Sequence, residues 1–402
     1  MKEGNANIIA LFFASCHSTP IMTQKTFHHI RPTVISFALL GAFWGSFAAT
    51  VPMLKLQMGI NDATFGLAML LAAFGSVIAM VMAPWADQKL GRFSIMVGGL
   101  GLILSFLMPG LVHNWMVFAA VMMLCSSFSG ALDVVMNAQV SNTEAHLDRP
   151  IMSLHHAIFS FSYAGFAFVA GLIREAGFDT WVPFAVVGAI GAALSPWMRR
   201  VVFSEDANAP KSKGLGVSVA FIGIAGLIIM VAFIAEQAAE AWSALHLERT
   251  MGARAAMGAL GPTILGVTMG IGRLYGQVMT SRFGEMKTVR MSALFAASGA
   301  ILAGASLTLP LTYIGFAILG MGISVMVPLI FSLVGKSVPA SKRTTIISRV
   351  AVVGYIGFFI GPAMMGGVAQ LFGLGTSFVI MGAVLAAVGG LMPPLLQRYS
   401  HS

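Results

Sequence analysis

Apolar segments of about twenty residues follow one another along this chain from Val34 onward, each near the length that an α-helix needs to cross a bilayer. Hydrophobic residues make up 57% of the 402 residues and charged residues only 9%, whereas soluble domains carry about 25% charged residues. Such a chain cannot cover a water-facing surface, so we expect an all-α membrane protein with twelve transmembrane helices. The expected spans are 34–55, 63–83, 94–112, 115–138, 151–173, 180–198, 216–241, 256–280, 288–308, 311–335, 345–368 and 376–395.

A polar, basic stretch from Arg199 to Gly214 divides the chain into two halves that resemble each other. Lys89-Leu90-Gly91-Arg92 follows the second span, and Arg282-Phe283-Gly284-Glu285 follows the eighth span 193 positions later. Tyr163-Ala164-Gly165-Phe166 and Tyr355-Ile356-Gly357-Phe358 form a second echo at an offset of 192. Two echoes at nearly one offset indicate an internal duplication. The expected fold is therefore two pseudo-symmetric six-helix bundles, an arrangement typical of secondary transporters.

These boundaries divide the chain into five expected parts. They are an N-terminal lead (1–33), the first bundle (34–198), a linker (199–215), the second bundle (216–395) and a tail (396–402). The apolar run from Asn7 to Cys16 is too short to span the membrane. It is either the core of a signal peptide or lies upstream of a true translation start at Met22, and we favour the start at Met22.

Basic residues are distributed unevenly between the two sides of the expected membrane. Seventeen lie on the side of the termini, and four lie opposite: Lys55, Arg174, Arg249 and Arg254. The positive-inside rule then places both termini in the cytoplasm. It also accounts for the net charge of +9 without a nucleic-acid partner.

Several polar residues lie inside the fourth and fifth expected spans, where ionisable groups are costly and usually functional. Asp133 and Asn137 share one face of the fourth span, and His156, Ser160 and Tyr163 share one face of the fifth. Asp133 and His156 are each about five residues from the cytoplasmic ends of their expected helices, so they should lie at similar depth. They could take up and release a proton, or they could simply tie the two helices together; both interpretations remain open.

The seventh and eighth spans carry a second set of embedded charges. Glu236, Gln237 and Glu240 share a face of the seventh span. We favour a role for Glu236 in binding substrate or a coupling cation, and we interpret Glu240 as an interfacial acid that reaches water. Arg273 lies in the inner third of the eighth span. In the first span Trp44 lies at mid-depth, where an aromatic wall suits a sugar ring or a hydrophobic drug equally well.

The turn after the second span resembles the signature G-x-x-x-D-[RK]-x-G-[RK] of the major facilitator superfamily. Lys89, Gly91 and Arg92 match it, while Gln88 occupies the aspartate position and Asp87 comes one residue early. The second copy keeps Arg282 and Gly284 of the signature. The resemblance implies that these turns, together with Arg273, form the gate between the two bundles.

Further residues resemble a little-characterised group of bacterial inner-membrane permeases that is distantly similar to fucose-type sugar permeases. The matching positions are Asp133, Asn137, Glu144, Met152, His156, Ser160, Glu236, Trp242, Gly272, Arg273, Gly354, Tyr355, Gly361 and Pro362. The resemblance implies a cavity lined mainly by the first, fourth, seventh and tenth helices, with Arg273 close to His156. The expected substrate or proton-coupling residues are Asp133, Asn137, His156, Glu236, Trp242, Tyr355 and Trp44.

From these observations we expect a secondary active transporter that moves a small polar solute across the inner membrane by alternating access, coupled to protons. Asp133 and Arg273 would pair when the inner gate is shut. We expect a monomer in the lipid bilayer that needs no cofactor or metal, because Cys16 and Cys125 are far apart and no motif such as His-Glu-x-x-His suggests an enzyme. The alternatives are a drug or metabolite efflux permease of the same fold, and a membrane-embedded sensor or channel.

Overall fold

The computed structural model of the chain describes residues 24–147, 149, 151–200, 218–338 and 340–399. Within these residues the secondary structure is helical, without β-strands. The α-helices are α1 (Gln24–Met58), α2 (Asp62–Leu90), α3 (Ser94–Phe106), α4 (Trp115–Leu147), α5 (Met152–Glu175), α6 (Val182–Leu194), α7 (Val219–Met251), α8 (Ala255–Phe283), α9 (Glu285–Ala305), α10 (Leu309–Ile323), α11 (Met326–Lys336), α12 (Ala340–Phe372) and α13 (Leu374–Tyr399). The expected start at Met22 and most of the expected linker lie outside the described residues.

Ten stretches of the described chain are long and apolar enough to cross a membrane. One of them, Asp62–Leu111, has 50 residues, which at 1.5 Å per residue is about 75 Å of helix, more than twice the hydrocarbon thickness. It includes the break at Gly91 and therefore accounts for two crossings. With the shorter apolar helix Val182–Met198, the crossings number twelve, and the predicted fold class is confirmed.

The tenth crossing differs from its prediction as one continuous helix over 311–335. It is broken between Ile323 and Met326, which separates α10 from α11. At the break, the Ser324 hydroxyl donates a hydrogen bond to the Met321 carbonyl oxygen at 2.7 Å. A serine that binds the backbone in this way competes with the helical ladder, a local effect that a hydropathy pattern does not register.

Two glycines with positive φ end the equivalent helices of the two halves. Gly91 follows α2 with φ 53°, and Gly284 follows α8 with φ 79°. Residues with a Cβ rarely adopt this conformation, whereas glycine does so without steric cost. The repeat predicted from the sequence is therefore also a repeat in backbone conformation, because both glycines have positive φ.

Within each half, helices pack backbone against backbone at glycines. A Cβ atom at Gly45 of α1 would lie 2.0 Å from the Tyr163 carbonyl oxygen of α5, and one at Gly41 would lie 2.3 Å from that of Phe159. In the second half, a Cβ at Gly357 of α12 would lie 2.4 Å from the Met230 carbonyl oxygen of α7. These contacts confirm that glycine serves close helix packing, as expected inside membranes.

The two halves meet along two helix pairs related by the duplication, α5 with α8 and α2 with α12. In the second pair, a Cβ at Gly66 would lie 2.6 Å from the Pro362 carbonyl oxygen, and one at Gly366 would lie 2.5 Å from the Asp62 carbonyl oxygen. Both contacts are at the end of α2 that is remote from the linker. We call that end of the molecule the far side, and the end that carries Gly91, Gly284 and Arg200 the linker side.

Candidate functional site

A cavity of 1200 Å³ lies between the halves. Its walls come from α1, α2, α4 and α5 of the first half and from α7, α8, α10, α11 and α12 of the second. It extends from Trp44 and Gln237 inside the molecule to Gly284, Glu285 and Lys336 at the linker-side helix ends. The Lys336 side chain is 70% exposed, so the cavity is continuous with the linker-side surface. The expectation of a cavity lined by the first, fourth, seventh and tenth helices is met, with additional walls from their neighbours.

Arg273 of α8 joins both halves at mid-depth in this cavity. Its Nη2 atom lies 3.1 Å from Glu236 Oε1 of α7. Its Nη1 atom donates to the Ser160 hydroxyl and, at 3.3 Å, to the His156 carbonyl oxygen, both on α5. Arg273 therefore lies beside His156, as the resemblance implies. The acid that pairs with Arg273 is Glu236, however, and not Asp133.

Asp133 faces the same cavity from α4 of the first half. Asn137, one helical turn further along, donates to Asp133 Oδ1 at 3.0 Å and to the Asp133 carbonyl oxygen at 2.8 Å. No ion pair within 4.0 Å is formed by Asp133 among the described residues. A carboxyl whose side-chain partner is an amide keeps the capacity to bind a proton or a positively charged group.

Glu144 fixes the geometry of the α4–α5 hairpin that carries Asp133 and His156. Its Oε1 atom accepts hydrogen bonds from the backbone N–H groups of Ile151 at 2.6 Å and Met152 at 2.7 Å. A carboxylate at a helix N-terminus satisfies otherwise unpaired donors and favours the helix dipole. The hairpin is thus tied by Glu144, and this bond holds His156 at a fixed height on α5.

Glu240 and Trp44 form the deep end of the cavity. Glu240 of α7 accepts a long hydrogen bond of 3.4 Å from Gln237, and it lines the cavity instead of reaching bulk water. The interpretation of Glu240 as an interfacial acid is wrong, because the helices of both halves close over this end of α7. Trp44 of α1 donates from Nε1 to the Ser129 hydroxyl at 3.2 Å.

Tyr355 belongs to an aromatic wall on the second half of the cavity. Its ring stacks on Phe233 with centroids 5.5 Å apart and an interplanar angle of 14°. Phe358 packs against both rings, at 4.5 Å from Phe233 and 5.6 Å from Tyr355. The cavity thus combines a few polar groups with broad apolar faces, which is the usual composition of a small-molecule site.

Trp242 does not belong to the cavity lining, contrary to the expected role in substrate binding. Its ring is fully buried and packs edge-on against Phe65 of the first half at 5.4 Å. The Lys55 ammonium lies 5.5 Å from the centroid of the same ring, within the range of a cation–π contact. Glu236 of α7 therefore lines the cavity. Trp242, six residues further along the same helix, lies beyond the deep end of the cavity, packed between the two halves.

The far side is closed by a buried cluster centred on Asp62, the first residue of α2. Its side chain is 3% exposed and binds Arg249 of α7 through two hydrogen bonds, of 2.8 and 2.5 Å. Lys55 donates to the same carboxylate. The Asp62 backbone N–H donates to Gln370 Oε1 of α12 at 3.3 Å. One aspartate thus connects the first half to two helices of the second.

Two further ion pairs cross between the halves on the far side. Arg174 of α5 makes a two-point contact with Glu248 of α7, with N–O distances of 2.7 and 2.8 Å. Glu175, at the end of α5, lies 3.5 Å from Arg254 and accepts from the backbone N–H of Ala256 at 3.1 Å. These contacts seal the end of the molecule opposite the cavity mouth.

Sequence reasoning located the four far-side bases but not their partners. Each of the four, Lys55, Arg174, Arg249 and Arg254, forms an ion pair with an acid in the first or last turn of a helix. A signal was present, because Asp62, Glu175 and Glu248 lie near the same helix ends as these bases. The pairing was not deducible, since Arg249 and Asp62 are separated by 187 positions.

The predicted gate residues on the linker side make contacts within their own half. Asp87 binds Arg200, whose backbone N–H donates to the Arg92 carbonyl oxygen at 2.9 Å. The Arg92 guanidinium lies 4.8 Å from the Phe93 ring, and that of Arg282 lies 5.5 Å from the Phe283 ring. Lys89 is exposed at the end of α2. Among the described residues, the linker-side ion pairs thus leave the two halves unconnected.

Comparisons with known proteins agree with this architecture. The family model of the Major Facilitator Superfamily matches residues 214–401. The chain is 28% identical to an uncharacterized transporter of Sinorhizobium fredii, y4wD, over 376 residues, which cover 91% of this chain and 98% of that protein. It is 27% identical to an uncharacterized MFS-type transporter of Yersinia pestis over 368 residues, 89% of this chain and 93% of that protein.

Solved structures share the same fold. One is a bacterial homologue of the human lysosomal transporter Spinster in an inward-facing and occupied conformation, with a TM-score of 0.70 and 15% identity over 92% of this chain and 96% of that one. The chain is thus a multi-pass membrane protein that is similar to transporters of the major facilitator type, in fold over most of its length and in sequence over residues 214–401. The likeness to fucose-type permeases remains a prediction from the sequence.

Proposed function

We propose that this protein is a secondary active transporter that carries a small polar solute across the bacterial inner membrane by alternating access, coupled to protons. The observation that carries this proposal is the contrast between the two ends of one cavity. The cavity reaches the surface on the linker side and is sealed on the far side by ion pairs between the halves. A carrier needs such one-sided access, whereas a conducting channel needs a path open at both ends.

The positive-inside distribution of basic residues assigns the linker side to the cytoplasm. In that orientation the described conformation is inward-open, with both termini cytoplasmic. The outward-open state would form when the far-side ion pairs separate and the linker-side ends of the halves come together. Asp133 and Arg273 would then approach, and the proposed pairing of these two residues belongs to that second state.

Asp133 is the residue that we propose to carry the coupling proton. It comes from the half that lacks Arg273, it lines the cavity, and its side-chain partner is the amide of Asn137. Glu236, by contrast, already has a guanidinium partner. A proton on Asp133 would remove the charge that attracts Arg273 and would thereby bias the equilibrium between the two states.

Counterflow in proteoliposomes tests the transporter assignment. Vesicles that contain the purified protein are loaded with an unlabelled solute and diluted into a trace of the labelled solute, across a panel of sugars, sugar amines, nucleosides and organic acids. A carrier accumulates the label transiently, by exchange. A channel, a sensor or an enzyme gives no overshoot with any solute, and that result would rule out the proposal.

The proton role of Asp133 needs a separate comparison. We expect Asp133→Asn to retain exchange of the solute found in that panel but to lose accumulation driven by an imposed pH gradient, because asparagine cannot take up a proton. Asp179→Asn, at an exposed turn beyond α5, is the matched control and should keep both activities. Gradient-driven accumulation by Asp133→Asn at the level of the unmodified protein would contradict the assignment.

A further inference from the structure

We propose that the deep end of the cavity is a binding site for the ammonium group of the solute, formed by Glu240 of the second half and Trp44 of the first. The proposal rests on the transporter function above and names the chemical class of its substrate: a small organic cation such as an amino sugar or another polar amine. It draws on the carboxyl groups at this depth and on the position of the indole ring.

Carboxyl groups outnumber guanidinium groups at this depth. Two carboxyls, Glu236 and Glu240, face one guanidinium, Arg273, which lies 3.1 Å from Glu236. Glu240 accepts a hydrogen bond from the Gln237 amide at 3.4 Å, and an amide does not compensate a charge. A carboxylate in such a water-poor site is stabilised most by a cation that arrives with the ligand.

Trp44 presents an aromatic surface to the same space. Trp44 and Glu240 both line the main cavity, and both also line a small void of 10 Å³ directly adjoining it. The indole is held in place by its bond to Ser129 and by edge-on contacts with Phe47 at 5.5 Å and Phe106 at 5.4 Å. A tryptophan face is the best side-chain partner for an organic cation.

A site shared by two halves also links binding to conformational change. An ammonium group between Glu240 and Trp44 touches α7 and α1, which separate when the far side opens. The solute would therefore be bound most tightly while the far side is closed over it, and opening would loosen its contacts. This arrangement favours release of the solute when the far side opens.

The test compares amines with neutral molecules of the same shape: glucosamine with N-acetylglucosamine and glucose, and benzylamine with benzyl alcohol. Affinity is measured by ligand-induced thermal stabilisation of the purified protein, and exchange by counterflow of the same compounds. We expect each amine to bind about tenfold or more tightly than its neutral counterpart, as for a charge-assisted hydrogen bond. The Glu240→Gln variant should lose that preference and bind each amine about as weakly as its neutral counterpart.

Substitutions of Trp44 separate the aromatic contribution from the charge. Trp44→Leu should weaken amine binding about fivefold through loss of the cation–π contact, whereas Trp44→Phe should retain most of it. Quenching of tryptophan fluorescence by the amines gives a second readout, which should disappear in Trp44→Phe. Asp179→Asn is the control that should keep the full preference, and thermal unfolding without ligand verifies that each variant is folded.

The outcomes distinguish this inference from the proposed function. Exchange of neutral sugars without a preference for amines, or an undiminished preference in Glu240→Gln, would overturn the ammonium site and leave the transporter assignment intact. The second result would mean that Glu240 is uncharged when the ligand binds. Absence of exchange for every compound, amine or neutral, would remove the proposed function and this inference together.

Discussion

The two ends of the molecule use charge in opposite ways. On the far side, ion pairs from Asp62, Glu248 and Glu175 each reach from one half to the other. On the linker side, Asp87 pairs with Arg200 at the start of the linker, and Glu285 pairs with Lys336 of its own half. The far-side charges therefore stabilise one relative arrangement of the halves, while the linker-side charges stabilise each half separately. Among the described residues, the ion pairs that join the two halves therefore lie on the far side alone.

Neutralising Asp62 should have the largest effect on this contrast. Asp62→Asn leaves Lys55 and Arg249 facing each other without their common acid. Removal of one partner from a buried ion pair costs about 3–5 kcal/mol, and here that cost falls on the closed far side alone. We expect the far side to open. The measurement is the distance between spin labels at Leu56→Cys and Leu307→Cys, positions that are 82% and 96% exposed, in a background without Cys16 and Cys125.

The control for that experiment is Asp179→Asn, an exposed far-side acid outside the ion-pair cluster. It should leave the label distance unchanged. A distance distribution for Asp62→Asn that matches the control would show that the Asp62 cluster does not hold the halves together.

Glu248→Gln should open the far side to a smaller extent. Arg174 would lose its carboxylate but keep its hydrogen bond to the Ala49 carbonyl oxygen at 2.5 Å, so it would not be left wholly unpaired. Loss of hydrogen bonds to a charged group costs about 1.5–3 kcal/mol. The same spin labels should report a minor open population. Arg174→Gln combined with Glu248→Gln should cost less than the sum of the single changes, and strict additivity would argue against a direct pair.

Gly66→Ala tests the closed far side without changing any charge. Its new Cβ would lie 2.6 Å from the Pro362 carbonyl oxygen of α12, and such overpacking costs about 1–3 kcal/mol. The matched control is Gly367→Ala on α12, because a Cβ there meets nothing within 4 Å. We expect only Gly66→Ala to widen the far-side label distance. Equal behaviour of the two variants would mean that α2 and α12 are not tightly apposed at this point.

Glu285→Gln should have the smallest effect. Its partner Lys336 is 70% exposed, and exposed ion pairs contribute about 0–1 kcal/mol. Both residues belong to the second half, so the far-side label distance should stay at its original value. If Glu285→Gln changed the label distance as much as Asp62→Asn does, the linker-side ion pairs would also be stabilising the arrangement of the two halves.

The fold was largely predictable because membranes constrain sequence locally. Each crossing must satisfy its own backbone within about twenty apolar residues, so the twelve crossings could be counted without knowing how they pack. The duplication was visible because Gly91 and Gly284 occupy equivalent turns with positive φ. The break at Ser324 was missed because it interrupts a helix without interrupting its hydropathy.

The site was predictable only in part. Spacing along α4 and α5 placed Asp133, Asn137 and His156 in the cavity, since residues on one helical face follow from sequence distance alone. The predicted environments of Trp242 and Glu240 were wrong. Both depend on how the two halves pack against each other at the far side, where Phe65 of the first half contacts Trp242. The pairing of the Asp133 and Arg273 charges remains a prediction for the other conformation.

Arg273 has one consequence for how such a carrier could sense its cargo. Its guanidinium binds Glu236 on its own half and the hydroxyl of Ser160 on the other, at the α5–α8 contact about which the bundles would rotate. A solute that attracts Glu236 would weaken the ion pair between Glu236 and Arg273, and Arg273 could then change its contact with Ser160. Binding in the cavity would thus affect the α5–α8 contact through a single side chain, without a separate moving loop.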